Sequence, residues 1–194
     1  MADTATLNPA HLSIVIPVLN EAATLAATLE GLQPLRRRGA ELVVVDGEST
    51  DRSAALALPL ADTVMTAPPG RGAQMNLGAS AAGFDTLLFL RADTRLPDGA
   101  PERIQQALST HRWGRFDVSL THRPGVIAAL INARSRLTGV ATGAQAMFMT
   151  RAAFAAVGGF PERPPREDIA MSRQLKKQGR PACLKARVTS AGHR

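Results

Sequence analysis

The chain predicts an α/β fold, a mostly parallel central sheet flanked by helices, and three observations carry that prediction. Short apolar runs such as Ile14-Val15-Ile16, Val43-Val44-Val45 and Leu87-Leu88-Phe89-Leu90 lack the polar alternation of a one-faced sheet. Such runs belong to strands covered on both faces. They alternate with stretches of helical period, the pattern of βαβ units on a parallel sheet. Two of the runs then end on a carboxylate, Asp46 and, past Arg91-Ala92, Asp93. Ligands of open α/β sheets bind beyond the carboxyl ends of the strands, so both residues are candidates for binding or chemistry. A lone Asp there is also a common turn or capping residue.

The first strand is Leu12 to Pro17, closed by a residue that cannot donate to a ladder. Asn20 reads as an N-cap with Glu21 in the first turn, opening a helix through Leu25 and Leu29 to about Gly31. Glu41 to Asp46 is a second strand, and Gly47-Glu48-Ser49-Thr50-Asp51 turns into a helix over Ala54 to Leu58. A third strand, Thr63 to Thr66, leads through Pro68-Pro69-Gly70-Arg71-Gly72 into a helix from Ala73 to Ala82. The glycines let the backbone approach a ligand at the helix start, and Arg71 can reach a phosphate or base. The full phosphate-loop pattern is absent. Thr86 to Leu90 is the strand that ends near Asp93.

Beyond Asp93 the pattern loosens. Pro97 to Ser109 reads as a helix, Gly114 to Leu120 as a half-exposed alternating strand, and Val126 to Leu137 as an amphipathic helix. Gly143 to Met149 is predicted as a strand, and Arg151 to Val157 as a short helix stopped by Gly158-Gly159. After Pro164-Pro165, Arg166-Glu167-Asp168 begins a polar helix, Ile169 to Gln178, and Val188 lies in a last short strand. Asp168 there is a helix-capping or ion-pairing residue on the bland reading.

The 194 residues suit a single domain, 1–194, with 45% hydrophobic and 20% charged residues. Cys183 is the single cysteine, which excludes an intramolecular disulfide and suits a reducing cytoplasm. The net charge is +7, and all but Lys176, Lys177 and Lys185 of the 23 basic residues are Arg. That balance is compatible with phosphorylated substrates, nucleic acid or an anionic membrane surface. With no Tyr and one Trp, stacking platforms are scarce, and no nucleic-acid partner is predicted. The first eleven residues hold no apolar signal core, and no stretch approaches 18 apolar residues, so membrane contact would be peripheral. The abrupt stop after a strand-like segment is compatible with a natural chain that continues.

Four segments in order carry a resemblance: Ser13-Ile14-Val15-Ile16-Pro17-Val18-Leu19-Asn20-Glu21, Val44-Val45-Asp46-Gly47-Glu48-Ser49-Thr50-Asp51, Arg91-Ala92-Asp93, and Gly158-Gly159-Phe160 with Glu167-Asp168 beyond. Together they resemble the family 2 glycosyltransferases, which have the GT-A fold. Gly70 to Asn76 and Ala92-Asp93-Thr94 look most like a subgroup of short bacterial members. The resemblance implies a nucleotide-diphosphate sugar donor, an unidentified hydroxyl acceptor, and Mg²⁺ or Mn²⁺, with 1–97 as the nucleotide-sugar-binding half and 98–194 as the acceptor and catalytic-base half. It implies that Pro17, Val18, Asn20, Glu21, Asp46, Arg71 and Ala92 hold the donor nucleotide. Asp93 matches the last Asp of the family's Asp-x-Asp metal motif, and Asp168 matches the base of inverting members.

The chemistry is consistent with those roles. A leaving diphosphate develops charge that a hard, oxygen-ligated cation can neutralise. A base must act from the opposite side of the sugar, hence from a different element. Two departures stand out. Arg91 replaces the first Asp of the metal motif, where it can contact a diphosphate but repels a cation. Gly143-Ala144-Gln145 stands where the subgroup commonly has Gly-Asp-Gln. His193 is either a late metal ligand or an exposed terminal residue. The Gln-x-x-Arg-Trp segment of processive synthases is absent, so single-sugar transfer is predicted. The alternative is a catalytically impaired, nucleotide-binding GT-A-like protein; a nucleotidyltransferase would need a Gly-rich loop after the first strand. Arg112 to Arg136 is the candidate acceptor region, with Trp113 either a stacking surface or a packing residue.

Overall fold

The computed structural model describes residues 11–161 and 166–191. Its N-terminal part follows the predicted alternation: β1 (Leu12–Val18), α1 (Ala22–Arg37), β2 (Glu41–Asp46), α2 (Ser53–Ala57), β3 (Thr63–Thr66), α3 (Arg71–Ala81) and β4 (Thr86–Phe89). A two-residue strand follows, β5 (Thr94–Arg95), then α4 (Ala100–Leu108), β6 (Trp113–Leu120), α5 (Gly125–Thr138), β7 (Met147–Thr150), α6 (Arg151–Ala156), α7 (Glu167–Leu175) and β8 (Ala182–Ser190). One sheet holds all these strands in the order β3-β2-β1-β4-β7-β6-β8-β5. The pairings β3–β2, β2–β1 and β1–β4 are parallel, as is β6–β8. β7 joins the halves antiparallel to both β4 and β6, and β5 lies antiparallel to β8.

Both faces of the sheet are covered, which is why its strands read as unbroken apolar runs. Ile14, Ile16, Leu42, Val44 and Leu88 face a core completed by Leu25 and Leu29 of α1 and Ile104 of α4. Val15, Val43, Val45, Leu87 and Phe89 face the other core, with Met75 and Ala79 of α3 and Met171 and Leu175 of α7. Adjacent residues of one strand thus enter opposite cores, as the pleat requires.

Several expectations are corrected. α1 runs past Gly31 and carries Pro34 inside it, ending at Arg37. An interior proline costs about 3 kcal/mol or more in an isolated helix. Here the last turns are held from outside: Leu32 is buried, Gln33 donates to the Leu60 carbonyl, and Arg36 pairs with Asp62. Asn20 is not the N-cap of α1; its backbone is left-handed, φ 54°, and Glu21 takes the cap position without a side-chain bond. β6 is not half-exposed, because every residue from Trp113 to Val118 is buried. Gly143–Gln145 is a 3-10 turn rather than strand, and β7 begins only at Met147. The last strand is nine residues long, not short. Cys183 on it is half-buried. Trp113 is fully buried, its Nε1–H donating to the Gly179 carbonyl, so it packs and offers no stacking face. His193 and Pro164-Pro165 lie outside the described residues. Among the described residues no helix is long and apolar enough to cross a membrane.

Candidate active site

The loops after β1 and β2 are tied to each other before they meet any ligand. The Val18 carbonyl accepts from Gly47 N–H at 2.8 Å. Asn20 Oδ1 accepts from the amides of Thr50 and Asp51 at 2.8 and 3.3 Å. In return, Ser49 Oγ accepts from Asn20 N–H, Ser53 Oγ from Glu21 N–H and Asp51 Oδ2 from Ala22 N–H. The orphan donors at the start of α1 are therefore satisfied from a different loop, not by a local cap. Gln74 of α3, buried, extends the clamp by donating Nε2–H to the carbonyls of Val18 and Val45 at 2.7 and 2.8 Å. At the end of β2, Asp46 Oδ2 accepts from Ser49 N–H at 2.9 Å. Its Oδ1 is buried and has no partner among the described residues. A buried acceptor left in that state costs about 1–3 kcal/mol, and a ligand N–H or O–H would relieve it.

Between these loops lies a cleft of about 310 Å³. Pro17, Val18, Leu19 and Glu21 form one wall, Gly70, Arg71 and Gln74 at the start of α3 another, and Arg91 and Ala92 the floor beyond β4. A smaller recess continues from Pro17, Arg71 and Arg91 to Gly143, Met147 and Asp168. Ala92 is held by Thr28 of α1, whose hydroxyl donates to its carbonyl at 2.7 Å.

Asp168 and Glu167 open α7, where the helix dipole favours acidic side chains. Both are nearly buried, and Arg71 reaches across the recess to both, Nη1 3.4 Å from Glu167 and Nη2 3.5 Å from Asp168. Burial pushes the Asp168 carboxyl above the usual carboxylate range, against the pull of the Arg71 charge; neighbouring Glu167 adds to the rise, and Arg91 opposes it. Gly143 passes so close that a Cβ there would stand 2.5 Å from Arg71 Nη2 and 2.6 Å from Asp168 Oδ2. A side chain there would have to push aside the ends of Arg71 and Asp168, so the glycine lets the 3-10 turn pass close to this ion pair. On the other side, Gly159 has φ 81° and meets Asn76 of α3. Asn76 exchanges two hydrogen bonds with the Phe160 backbone, 2.8 and 2.9 Å, and the Phe160 ring packs edge-on against Phe89 at 4.8 Å. The Gly158-Gly159-Phe160 segment is thus docked on α3 and β4.

Asp93 is differently placed. Its carboxylate is enclosed, with a side chain 1% exposed. Oδ1 accepts from Arg91 Nε at 3.1 Å and Thr94 Oγ1 at 3.0 Å; Oδ2 accepts from Arg91 Nη2 at 3.4 Å and Ser190 Oγ at 3.1 Å. Burial works to raise its carboxyl, but the Arg91 charge and these hydrogen bonds hold it below the ordinary range. A carboxylate offers about four lone-pair positions, and these contacts use them all. Among the described residues no three His, Cys, Asp or Glu side chains converge as a metal would require. The described donor set therefore does not fit a divalent cation at Asp93.

A family model for glycosyl transferase family 2 matches residues 13–153, from β1 into α6. The chain belongs to glycosyl transferase family 2. No curated protein matches it. Among solved structures, a mannosyltransferase from Pyrobaculum calidifontis in complex with GDP-Man and Mn²⁺ aligns over 95% of this chain and 57% of its own, with 20% identity and TM-score 0.73. TarS residues 1–349 from S. aureus, in complex with UDP-GlcNAc, aligns over 94% and 59%, with 17% identity and TM-score 0.76. Glucosyl-3-phosphoglycerate synthase from Mycobacterium tuberculosis, in complex with Mn²⁺, UDP and glucosyl-3-phosphoglycerate, aligns over 94% and 71%, with 20% identity and TM-score 0.66. This family member spans under two thirds of the length of the first two, and the likeness establishes the shared GT-A fold.

Of the residues singled out in the sequence, Pro17, Val18, Glu21, Arg71 and Ala92 line the one cleft, and Asp168 lies in the recess that continues it. Asn20 and Asp46 are not in its lining; Asn20 ties the two loops, and Asp46 stands at the neighbouring strand end. Gly70, expected to let the backbone approach a ligand, lines the cleft, whereas Gln74, Glu167 and Gly143 were missed as site residues. Gln74 had a legible signal, since it sits three residues after Arg71 on the same helical face. Gly143 matched the first residue of the subgroup's Gly-Asp-Gln segment, but its closeness to Arg71 and Asp168 is a contact between distant segments.

Proposed function

We propose that the protein transfers a single sugar, with inversion, from a nucleotide-diphosphate sugar to a hydroxyl acceptor, with Asp168 as the general base. The observation that carries this reading is Asp168 itself: a nearly buried carboxyl with raised proton affinity, in a recess that continues the cleft. A base works best when its pKa approaches the operating pH, and burial moves Asp168 in that direction. The acceptor hydroxyl gives its proton to the Asp168 carboxylate while its oxygen attacks the anomeric carbon. The bond from that carbon to the diphosphate oxygen breaks, and its electron pair leaves with the nucleoside diphosphate.

In this reading the nucleotide lies against Pro17, Val18, Glu21 and Ala92, with Asn20 holding that wall. Asp46 Oδ1, which has no partner among the described residues, is suited to accept from a nucleoside N–H or O–H. Arg71 faces the phosphates at the start of α3, where the helix dipole also favours negative charge. No step is routed through a metal. Single transfer is supported by the absence of the Gln-x-x-Arg-Trp segment.

The test is Asp168→Asn, read by nucleotide binding and by turnover on a panel of UDP-, GDP- and dTDP-sugars. Binding is expected to persist while turnover falls by about 10²–10⁴-fold, the usual contribution of a general base. Unchanged turnover would remove Asp168 from that role. Wild-type protein that binds a nucleotide yet neither transfers nor hydrolyses any donor would instead select the non-catalytic reading.

A further inference from the structure

Arg91 occupies the position where the family pattern places a metal-binding carboxylate, and its surroundings suggest what it does there. It lines both the cleft and the recess, together with Arg71 and Pro17. The Asp93 ion pair holds its guanidinium by Nε and Nη2, at 3.1 and 3.4 Å. Asp93 is itself held by Thr94 and by Ser190 at the end of β8. The carboxylate expected to hold a cation thus holds an arginine instead.

We infer that Arg91, braced by Asp93 and acting with Arg71, binds the diphosphate of the donor in place of a divalent cation, so that donor binding and transfer proceed without metal. This rests on the nucleotide-sugar reading of the cleft. A guanidinium is always charged and presents several donors in a plane, which suits phosphate oxygens. In the transfer step the acceptor proton goes to Asp168, the bond from the anomeric carbon to the diphosphate oxygen breaks, and the charge arriving on the leaving diphosphate is met by these two guanidinium groups. The same two charges act on Asp168, so one pair of arginines faces both the leaving group and the base. Arg91 would be a catalytic residue; Asp93, which touches neither substrate nor reacting atom, is a positioning residue.

Calorimetry with UDP, GDP, ADP, CDP and dTDP, in EDTA and then in Mn²⁺, tests the inference on the intact chain. Wild-type protein is expected to bind at least one diphosphate in EDTA, within about threefold of its affinity in Mn²⁺. Arg91→Ala should weaken that diphosphate by about 10–100-fold, the scale of a charged hydrogen bond, while leaving the matching monophosphate within about threefold. Arg91→Asp, which restores a second carboxylate, should lose the diphosphate in EDTA and regain affinity in Mn²⁺. Binding by the wild type in Mn²⁺ alone overturns the inference and leaves the nucleotide-sugar reading standing. Equal loss of mono- and diphosphate in Arg91→Ala also overturns it, because the residue then acts through the fold. Failure of every nucleotide in both conditions overturns the cleft reading and the inference together.

Discussion

Asp168 owes its character to opposing influences that single substitutions can separate. Burial and Glu167 raise its proton affinity, while Arg71 and Arg91 lower it. Activity that needs the ionised base appears as pH rises through that pKa. Removing the Arg71 charge takes away a lowering influence, so Arg71→Gln is expected to move the acid limb of the kcat/KM profile to higher pH. Glu167→Gln removes a raising influence and should move the same limb to lower pH. Limb position measured on purified variants checks both, whatever happens to the plateau. Limbs that stay in place would mean that another group sets them.

At the scale of elements, the site is assembled by short polar bridges between segments that only the sheet brings near. Asn76 illustrates the cost of losing one: its side chain is the partner of both the N–H and the C=O of Phe160. Asn76→Ala should destabilise the fold by about 1–3 kcal/mol, because these partly buried backbone groups lose their partner. A urea midpoint shift without a change in m-value would confirm it. The strand–helix alternation up to β4 was legible because burial on both faces writes continuous apolar runs. α1 misled at Gly31 and Pro34 because local propensity was outweighed by Leu32 packing and the Gln33 and Arg36 contacts.

For the molecule as a whole, the sheet curls enough that β5, a few residues after β4 in sequence, forms an edge of the sheet beyond β8. That curl brings Ser190 to Asp93, ninety-seven residues away in the chain. It also leaves two buried carboxyls of opposite influence on stability. Asp93, with its proton affinity depressed by folding, contributes stability above the unfolded carboxylate range, lost as pH falls through its folded value. Asp168, with its affinity raised, favours the fold at low pH and burdens it once the group ionises. Asp168→Asn is therefore expected to raise Tm relative to wild type, by an increment that grows as pH rises through the Asp168 pKa. Paired thermal melts across that range check the sign; a difference that shrinks with pH would contradict it.

The fold class, the strand ends carrying Asp46 and Asp93, and the cleft residues around Pro17 and Arg71 were all determined by local sequence. Apolar period, turn chemistry and the order of motifs are properties of neighbouring residues, and they survive without knowledge of the rest of the chain. Tertiary structure alone decided what Asp93 does, because Ser190 is remote and its approach depends on the curl of the sheet. It likewise decided that Trp113 packs, that Gly143 passes close to Arg71 and Asp168, and that Asp168 is buried beside Arg71. Those are facts about distance and desolvation between remote segments, and no local pattern encodes them.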